Sequence, residues 1–304
     1  STCAETNTNL DPMVVTASRI NSQQNLPASI TIISADDIKL SPSRTLPDLL
    51  SQEAGVTLTS LFSHGSRATV GLRGFGPTAT QNTLILLDGR RLNDIDLSSV
   101  NFSAIPVKNI AYIEIIRGSG AVLYGDGATG GVINIVTKEP KGSDNYSTLS
   151  VSTGSFNHRE VNAFTTYTNS SFSIAANINS SENEGYRDNN NFDQDSGQFD
   201  IRLPLSKGEA YWKVGGFKQD IELPGKRTVD PTIPQNDLSD RRGADTPNDW
   251  ANERTKYSTL GYSLPLNSTD SFIIDAGYRL KRQRSQFDYG IWGGDYTDTS
   301  VRTL

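Results

Sequence analysis

Hydrophobic positions follow two different rules along this chain, and the change falls near Lys141. Before it, short runs rich in β-branched residues, Ile30 to Ile33, Thr69 to Leu72, Leu84 to Leu87, Ile110 to Ile116 and Val132 to Val136, predict strands. Ser34-Ala-Asp-Asp37 and Thr45-Leu-Pro-Asp48 each fit a capping box, in which the hydroxyl accepts from early N–H groups and the acid suits the helix dipole. The second helix carries Leu49 and Leu50 and should stop at Gly55. Strands mixed with short helices predict a compact α+β domain.

Beyond Lys141 the helix signals vanish and a period of two takes over. Phe172, Ile174, Ala176 and Ile178 share one face, opposite Ser173, Asn177 and Asn179. Phe199, Ile201, Leu203 and Leu205 alternate with Asp200, Arg202 and Pro204, while Phe272, Ile274, Ala276, Tyr278 and Leu280 oppose Asp275, Arg279 and Lys281. Weaker alternation runs through Ser147 to Thr153, Val161 to Tyr167, Ala210 to Gln219 and Tyr257 to Leu266, which gives about seven antiparallel strands with another beginning near Leu304.

The connections alternate too. Asn169-Ser-Ser171, Leu205-Ser-Lys-Gly208 and Leu266-Asn-Ser-Thr269 are turn-like, whereas Ser180 to Gly197 and Leu223 to Arg254 are long and polar. Short turns on one rim and long loops on the other suit an outer-membrane barrel, although a soluble β-sandwich also alternates. So few strands cannot close a pore, and the open sheet predicts further strands.

Composition narrows the classes. Hydrophobic content of 35% and a mean hydropathy of −0.45 are low for 304 residues, and no apolar run is long enough for a transmembrane helix. A net charge of −6 and a pI near 5.0 argue against nucleic acid as a partner. The single cysteine, Cys3, allows no internal disulfide and no cysteine-based metal site; a terminal cysteine is incidental or lipidated. No export signal opens the chain, so Ser1 is expected close to a mature start.

Five motifs then come in order: Leu72-Arg-Gly-Phe-Gly76, Leu86-Leu-Asp-Gly-Arg90, Ile113-Glu-Ile-Ile-Arg-Gly118, Ala121-Val-Leu-Tyr-Gly125 and Gly130-Gly-Val-Ile-Asn-Ile-Val-Thr-Lys138. The series resembles the plug domain of the TonB-dependent outer-membrane receptor family over about residues 26 to 138. The resemblance implies a flexible segment over 1–25, a plug over 26–141, and over 142–304 the first strands of a 22-stranded transmembrane barrel in the outer membrane of a Gram-negative bacterium. At this strand spacing the rest of the barrel would add on the order of 350 residues. Gly125-Asp-Gly-Ala-Thr-Gly130 also fits the dinucleotide fingerprint, but a strand former follows where a helix is needed; the glycines are expected to allow tight turns where the plug meets the wall.

Asp11, Pro12, Met13, Val14, Val15, Thr16 and Ala17 resemble the family's TonB box, in a form close to that of cobalamin-type receptors. Physically this is a β-branched segment in a polar leader, suited to adding a strand to a partner's sheet edge; a disordered leader is the bland alternative. The resemblance implies that it binds TonB on the periplasmic side. By the same resemblance Arg73 and Arg117 latch the plug to barrel-wall glutamates in strands still to come; pairing within the plug is the alternative. Ligand contacts would come from the long barrel loops and from two plug loops carrying Phe62, Ser63, His64 and Ser66, and Asn93 and Asp94, with His64 otherwise a solvated loop histidine.

Asp188, Asn190, Asp193 and Asp195 make an oxygen-rich loop without the glycine and glutamate of a helix-loop-helix calcium site. Some cobalamin-type receptors hold calcium in this loop, and calcium is the one metal expected; no other cofactor is. His64 and His158 lie in different domains, neither beside a nucleophile, and Asp36 and Asp37 are explained by capping, so no enzyme is expected. The expected function is TonB-dependent uptake of a scarce small molecule, an iron chelate such as a ferric siderophore before cobalamin or another cofactor, with outer-membrane lipid around the barrel. A passive channel or adhesin needs neither plug nor box. A receptor that also signals to transcription needs a domain ahead of the box, and with ten residues before Asp11 it is not expected. Ligand discrimination is expected in the Leu223 to Arg254 loop, with Leu223-Pro-Gly225, Arg241-Arg242 and Trp250.

Overall fold

The computed structural model describes residues 29–43, 45–60, 68–94, 99–118, 124–140, 145–225, 240–267, 270–288 and 293–303. The first part of the chain runs β1 (Ser29–Ile33), α1 (Ala35–Leu40), α2 (Leu46–Ser51), β2 (Val56–Ser60), β3 (Ala68–Leu72), α3 (Ala79–Asn82), β4 (Thr83–Leu87), β5 (Arg90–Arg91), β6 (Ile110–Arg117) and β7 (Gly131–Thr137). The sheet order is β1-β6-β7-β4-β5, with β4 and β7 parallel and the other pairs antiparallel, while β2 and β3 pair separately. All five strands expected from the sequence form.

Local chemistry sets these elements. Ser34 caps α1 reciprocally: its hydroxyl accepts from Asp37 N–H, and the Asp37 carboxylate accepts from Ser34 N–H at 2.9 Å. Those bonds hold the Asp37 carboxyl below its ordinary value. At α2 only half of the expected box is made, with Thr45 accepting from Asp48 N–H. Asp88-Gly89 turns β4 into β5 with both residues left-handed, at φ 50° and 78°, as the favoured two-residue hairpin turn requires. The principal core packs α1 and α2 on one sheet face, burying Ile33, Leu46, Leu50, Ile113, Ile115 and Ile135.

Gly125 and Gly127 take the positive φ expected of tight turns, 77° and 85°, whereas Gly130 packs within the first domain rather than at the barrel wall, as does the adjoining Gly131. A Cβ on Gly131, at φ +144°, would lie 2.3 Å from the Ile116 carbonyl, and one on Gly130 would meet the Asn82 carbonyl at 2.9 Å and the Phe75 ring at 3.0 Å. The following segment is strand β7, not a helix.

The second part is one antiparallel meander of eight strands in sequence order: β8 (Tyr146–Thr153), β9 (Arg159–Thr168), β10 (Ser173–Asn183), β11 (Phe192–Leu205), β12 (Gly208–Glu222), β13 (Trp250–Pro265), β14 (Ser271–Asp288) and β15 (Gly294–Thr303). The sequence pattern places the start of an eighth strand only near Leu304, whereas β15 begins at Gly294. The strands also reach further into the long rim than alternation suggested, so the loops shrink to 184–191 and 223–249. Polar residues on both faces hide the period there, as in Glu182-Asn183 and Asp193-Gln194-Asp195.

The sidedness of this sheet is inverted relative to a water-soluble sandwich. Leu149, Ile178, Leu203, Leu260 and Ile274 are exposed on the outer face, with Leu260 at 63%. Asn162, Asn177, Asn179, Gln194, Gln219, Thr255 and Lys281 are buried on the inner face, against the first domain. No helix among the described residues is long and apolar enough to cross a membrane.

Candidate plug–wall interface

Polar contacts join the first domain to the inner sheet face at several levels, among them Lys108 to Ser150, Asn109 to Gln198 at 3.4 Å and Gln198 to Thr137 at 3.2 Å. Three of them are larger networks. The uppermost is neutral: Asn101 donates to Gln219 at 3.0 Å, Gln219 donates to Ser103 Oγ at 2.8 Å and to Gln194 at 2.9 Å, and Gln194 donates to the Ser103 carbonyl at 2.6 Å. Both glutamines are fully buried, so this network satisfies amides that would be costly to leave unmade.

The second contact centres on Asp94. Its carboxylate accepts from Arg279 and from Lys281 Nζ, the latter at 2.6 Å, and Arg279 also donates to the Leu92 carbonyl at 3.3 Å. Asp94 is thus a plug-to-wall tie, not a free ligand group. Asn93, beside it, accepts from Ile85 N–H at 2.7 Å and donates to the Thr80 and Thr83 carbonyls at 3.1 and 3.0 Å. It braces the plug's own fold, and its amide is spent there.

The third contact gathers Asp88 and Glu139 of the plug with Arg202 and Lys213 of the wall. Glu139 lies 2.6 Å from Arg202 and 3.3 Å from Lys213, and Asp88 lies 3.2 Å from Lys213. Asp88 also accepts from the Thr137 N–H and hydroxyl, each at 2.8 Å, so the hairpin turn that needs a left-handed Asp also places a carboxylate at the wall. On the wall side Asp200 pairs with Arg202 at 3.0 Å, and Glu209 does so at the same distance. Arg90 stacks on Tyr257 at 3.9 Å, and burial lowers the pKa of its guanidinium; burial likewise lowers that of Lys138, whose ammonium lies 5.6 Å from the Phe164 ring.

These pairs were not singled out from the sequence. The spacing of Asp88, Asp94 and Glu139 carries no periodic signal, and Arg202, Arg279 and Lys281 read only as the polar half of an alternation. The available clue was that four long cations, Lys213 among them, fall on the face opposite the apolar one.

The other expected sites are placed as follows. Residues 11–17, with Cys3, and Phe62, Ser63, His64 and Ser66 lie outside the described residues. Arg73 is exposed at φ 59° just after β3. Arg117 donates to the Ala54 carbonyl at 3.0 Å and to the Thr31 hydroxyl at 2.5 Å, both within the plug. Asp188, Asn190, Asp193 and Asp195 do not converge. Asp193 and Asp195 point outward from β11, Asp188 is exposed in the loop, and the Asn190 side chain is packed beneath Gly185. No cluster of three His, Cys, Asp or Glu side chains suited to a metal occurs among the described residues.

The loops on the long rim are tied together. Arg187 donates to the carbonyls of Pro224, Gly225 and Gly243, and Asn189 to those of Leu223, Thr246 and Asp249. Arg241 and Arg242 stay exposed, while Trp250 begins β13 and donates to Gln286 at 3.2 Å.

The family model for the TonB-dependent receptor plug domain matches residues 22–132. A vitamin B12 transporter of Vibrio cholerae is 36% identical over 152 residues, covering 50% of this chain and 24% of the relative. A ferric enterobactin receptor of Pseudomonas aeruginosa is 37% identical over 138 residues, covering 40% of this chain and 18% of the relative. Among solved structures, the unliganded ferric citrate transporter FecA superposes with a TM-score of 0.71 at 21% identity, covering 86% of this chain and 41% of that one. The chain therefore spans less than half the length of these relatives.

Proposed function

We propose, from the premise that residues 22–132 are a TonB-dependent receptor plug domain continuing into that family's barrel strands, that the whole protein is an energised importer of the Gram-negative outer membrane. The observation that carries the reading is the sidedness of β8 to β15. Apolar side chains face outward, where lipid would cover them, and polar ones face a plug held by buried ion pairs. Residues 11–17 would engage TonB from the periplasm. A pull there would shift or partly unfold the plug, and Arg73 and Arg117 would meet glutamates of later strands. Ligand would bind the outer loops and plug loops, including Phe62, Ser63, His64 and Ser66.

The cargo class is an iron chelate of the siderophore kind, with cobalamin as the second reading; relatives named for each match this chain at similar identity. The matched proteins are named as transporters and receptors, in keeping with a role other than catalysis.

The deciding experiment deletes residues 11–17 from the full-length receptor and follows cell uptake of radiolabelled ferric enterobactin, ferric citrate and cyanocobalamin. One cargo should still bind the cell surface but no longer enter. Uptake unchanged by the deletion would make the protein a passive channel.

A further inference from the structure

The strand register arranges the wall cations as a staircase. Arg202 pairs with Tyr211, and Asp200 with Lys213. Lys213, Gly215 and Phe217 pair in turn with Thr259, Tyr257 and Thr255 of β13, and these with Gly277, Arg279 and Lys281 of β14. Arg202, Lys213, Arg279 and Lys281 therefore occupy four successive inward rungs, each two residues nearer the long-loop rim, roughly 7 Å per step along the strands. All four are buried.

Their partners divide into two sets. Asp94 serves the two upper rungs, and Asp88 and Glu139 the two lower; all three belong to the plug. The wall itself supplies Asp200 and Glu209 at the lower end, and Glu253 one rung above Lys281. A cavity of about 60 Å³ lies beside the upper steps, lined by Asp94, Ser196, Thr255, Tyr257, Arg279 and Lys281 among others.

We propose that this staircase is a track for anionic groups of the cargo, and that the plug carboxylates hold its places until the plug moves. When the plug moves, Arg202 and Lys213 keep the wall carboxylates Asp200 and Glu209 but lose Glu139 and Asp88, and Arg279 and Lys281 lose Asp94. A carboxylate, catecholate or phosphate on the cargo would take the vacated places and spare the cost of an underpaired buried cation. Movement from Lys281 down to Arg202 is then a series of near-balanced swaps. The inference rests on the transport reading and sharpens its substrate class: the favoured cargo is anionic, and a neutral one gains nothing from the track.

The test needs no cargo. Ser196 lies on the Lys281 rung, facing inward. In the full-length receptor carrying Cys3→Ser, Ser196→Cys is labelled in energised cells with an anionic sulfonatoethyl or a cationic trimethylammonioethyl methanethiosulfonate, each rate normalised to a free thiol. The anionic reagent should react at least about tenfold faster. That preference should fall toward one in Lys281→Gln, and equally in the charge-balanced Asp94→Asn, Arg279→Gln, Lys281→Gln variant. Equal rates, a cationic preference, or no reaction with either reagent would overturn the track. A preference that persists at unchanged rates after deletion of residues 11–17 would sink energised import while leaving the track standing.

Discussion

Lys281 of β14 and Asp94 of the plug meet at 2.6 Å, although 187 positions separate them in sequence. The pair is nearly excluded from water, with side-chain exposures of 4% and 6%. Removing one member of a buried pair costs about 3–5 kcal/mol, because the other charge stays behind. Asp94→Asn is therefore expected to loosen the plug on the wall by an amount of that order. Hydrogen exchange should show faster exchange at 83–94 with β11 to β13 unchanged; unaltered protection at 83–94 would mean that the pair does not hold the plug.

The outward apolar face makes a separate demand. Leu260 is 63% exposed and pairs with Ala276 midway along two long strands. Arginine facing lipid at mid-depth costs about 2–4 kcal/mol in a transmembrane barrel. Leu260→Arg should lower the yield of the heat-modifiable folded species in liposomes. At a water-facing position the same change would be close to neutral, and such a result would favour a soluble sheet.

Gly131 tests the closure of the plug core. Its φ of +144° excludes most side chains, and a Cβ would lie 2.3 Å from a backbone carbonyl that cannot swing away. Gly131→Ala should destabilise the plug by about 1–3 kcal/mol or more, read as a lower plug transition in calorimetry. Gly74, with nothing within 4 Å of a Cβ, serves as the control for strain from positive φ alone.

The plug's fold was legible because each of its signals is local. Ser34 and Asp37 announce a helix within four residues, and the β-branched run at Val132 announces a strand on its own. The strands of the second part were legible only where outer-face and inner-face chemistry differ. Where Asp193 and Asp195 replace apolar residues on the outer face near the rim, alternation disappears while pairing with Asp220 and Lys218 continues. The plug–wall ties were the least legible, since Asp94 finds Lys281 only once two domains are docked. Asn93 and Asp94 were expected to meet ligand because they sit on an outward plug loop, yet docking and turn bracing claim both side chains.

Acid should release α1 before the rest of the plug. Asp37 has a depressed pKa, so its capping contribution is fully present above its ordinary value of 3.8 and is lost as pH falls through the lower folded value. Amide protection at Asp37 and Ile38 should therefore drop on acidification below 3.8 in the wild type. In Ser34→Ala, which removes the hydroxyl, protection should already be low at neutral pH. A wild-type profile flat through that range would mean that the carboxylate does not support the cap.

The long-rim loops give the last expectation. Three carbonyls of the 223–249 connection accept from the Arg187 guanidinium, and three more from the Asn189 amide, so one short loop ties together residues 223–225 and 243–249. Hydrogen bonds to a charged donor contribute about 1.5–3 kcal/mol, and proteolysis of a rapidly opening segment follows the population of its open form. Arg187→Ala should therefore speed trypsin cleavage after Arg241 or Arg242 by about tenfold or more in the otherwise folded protein. Since the hydrogen bonds of Arg187 among the described residues go to backbone carbonyls, the substitution removes no side-chain partner there, and any accompanying loss of ligand affinity would report lost preorganisation. Cleavage at the wild-type rate would show that the loop keeps its shape without the clamp.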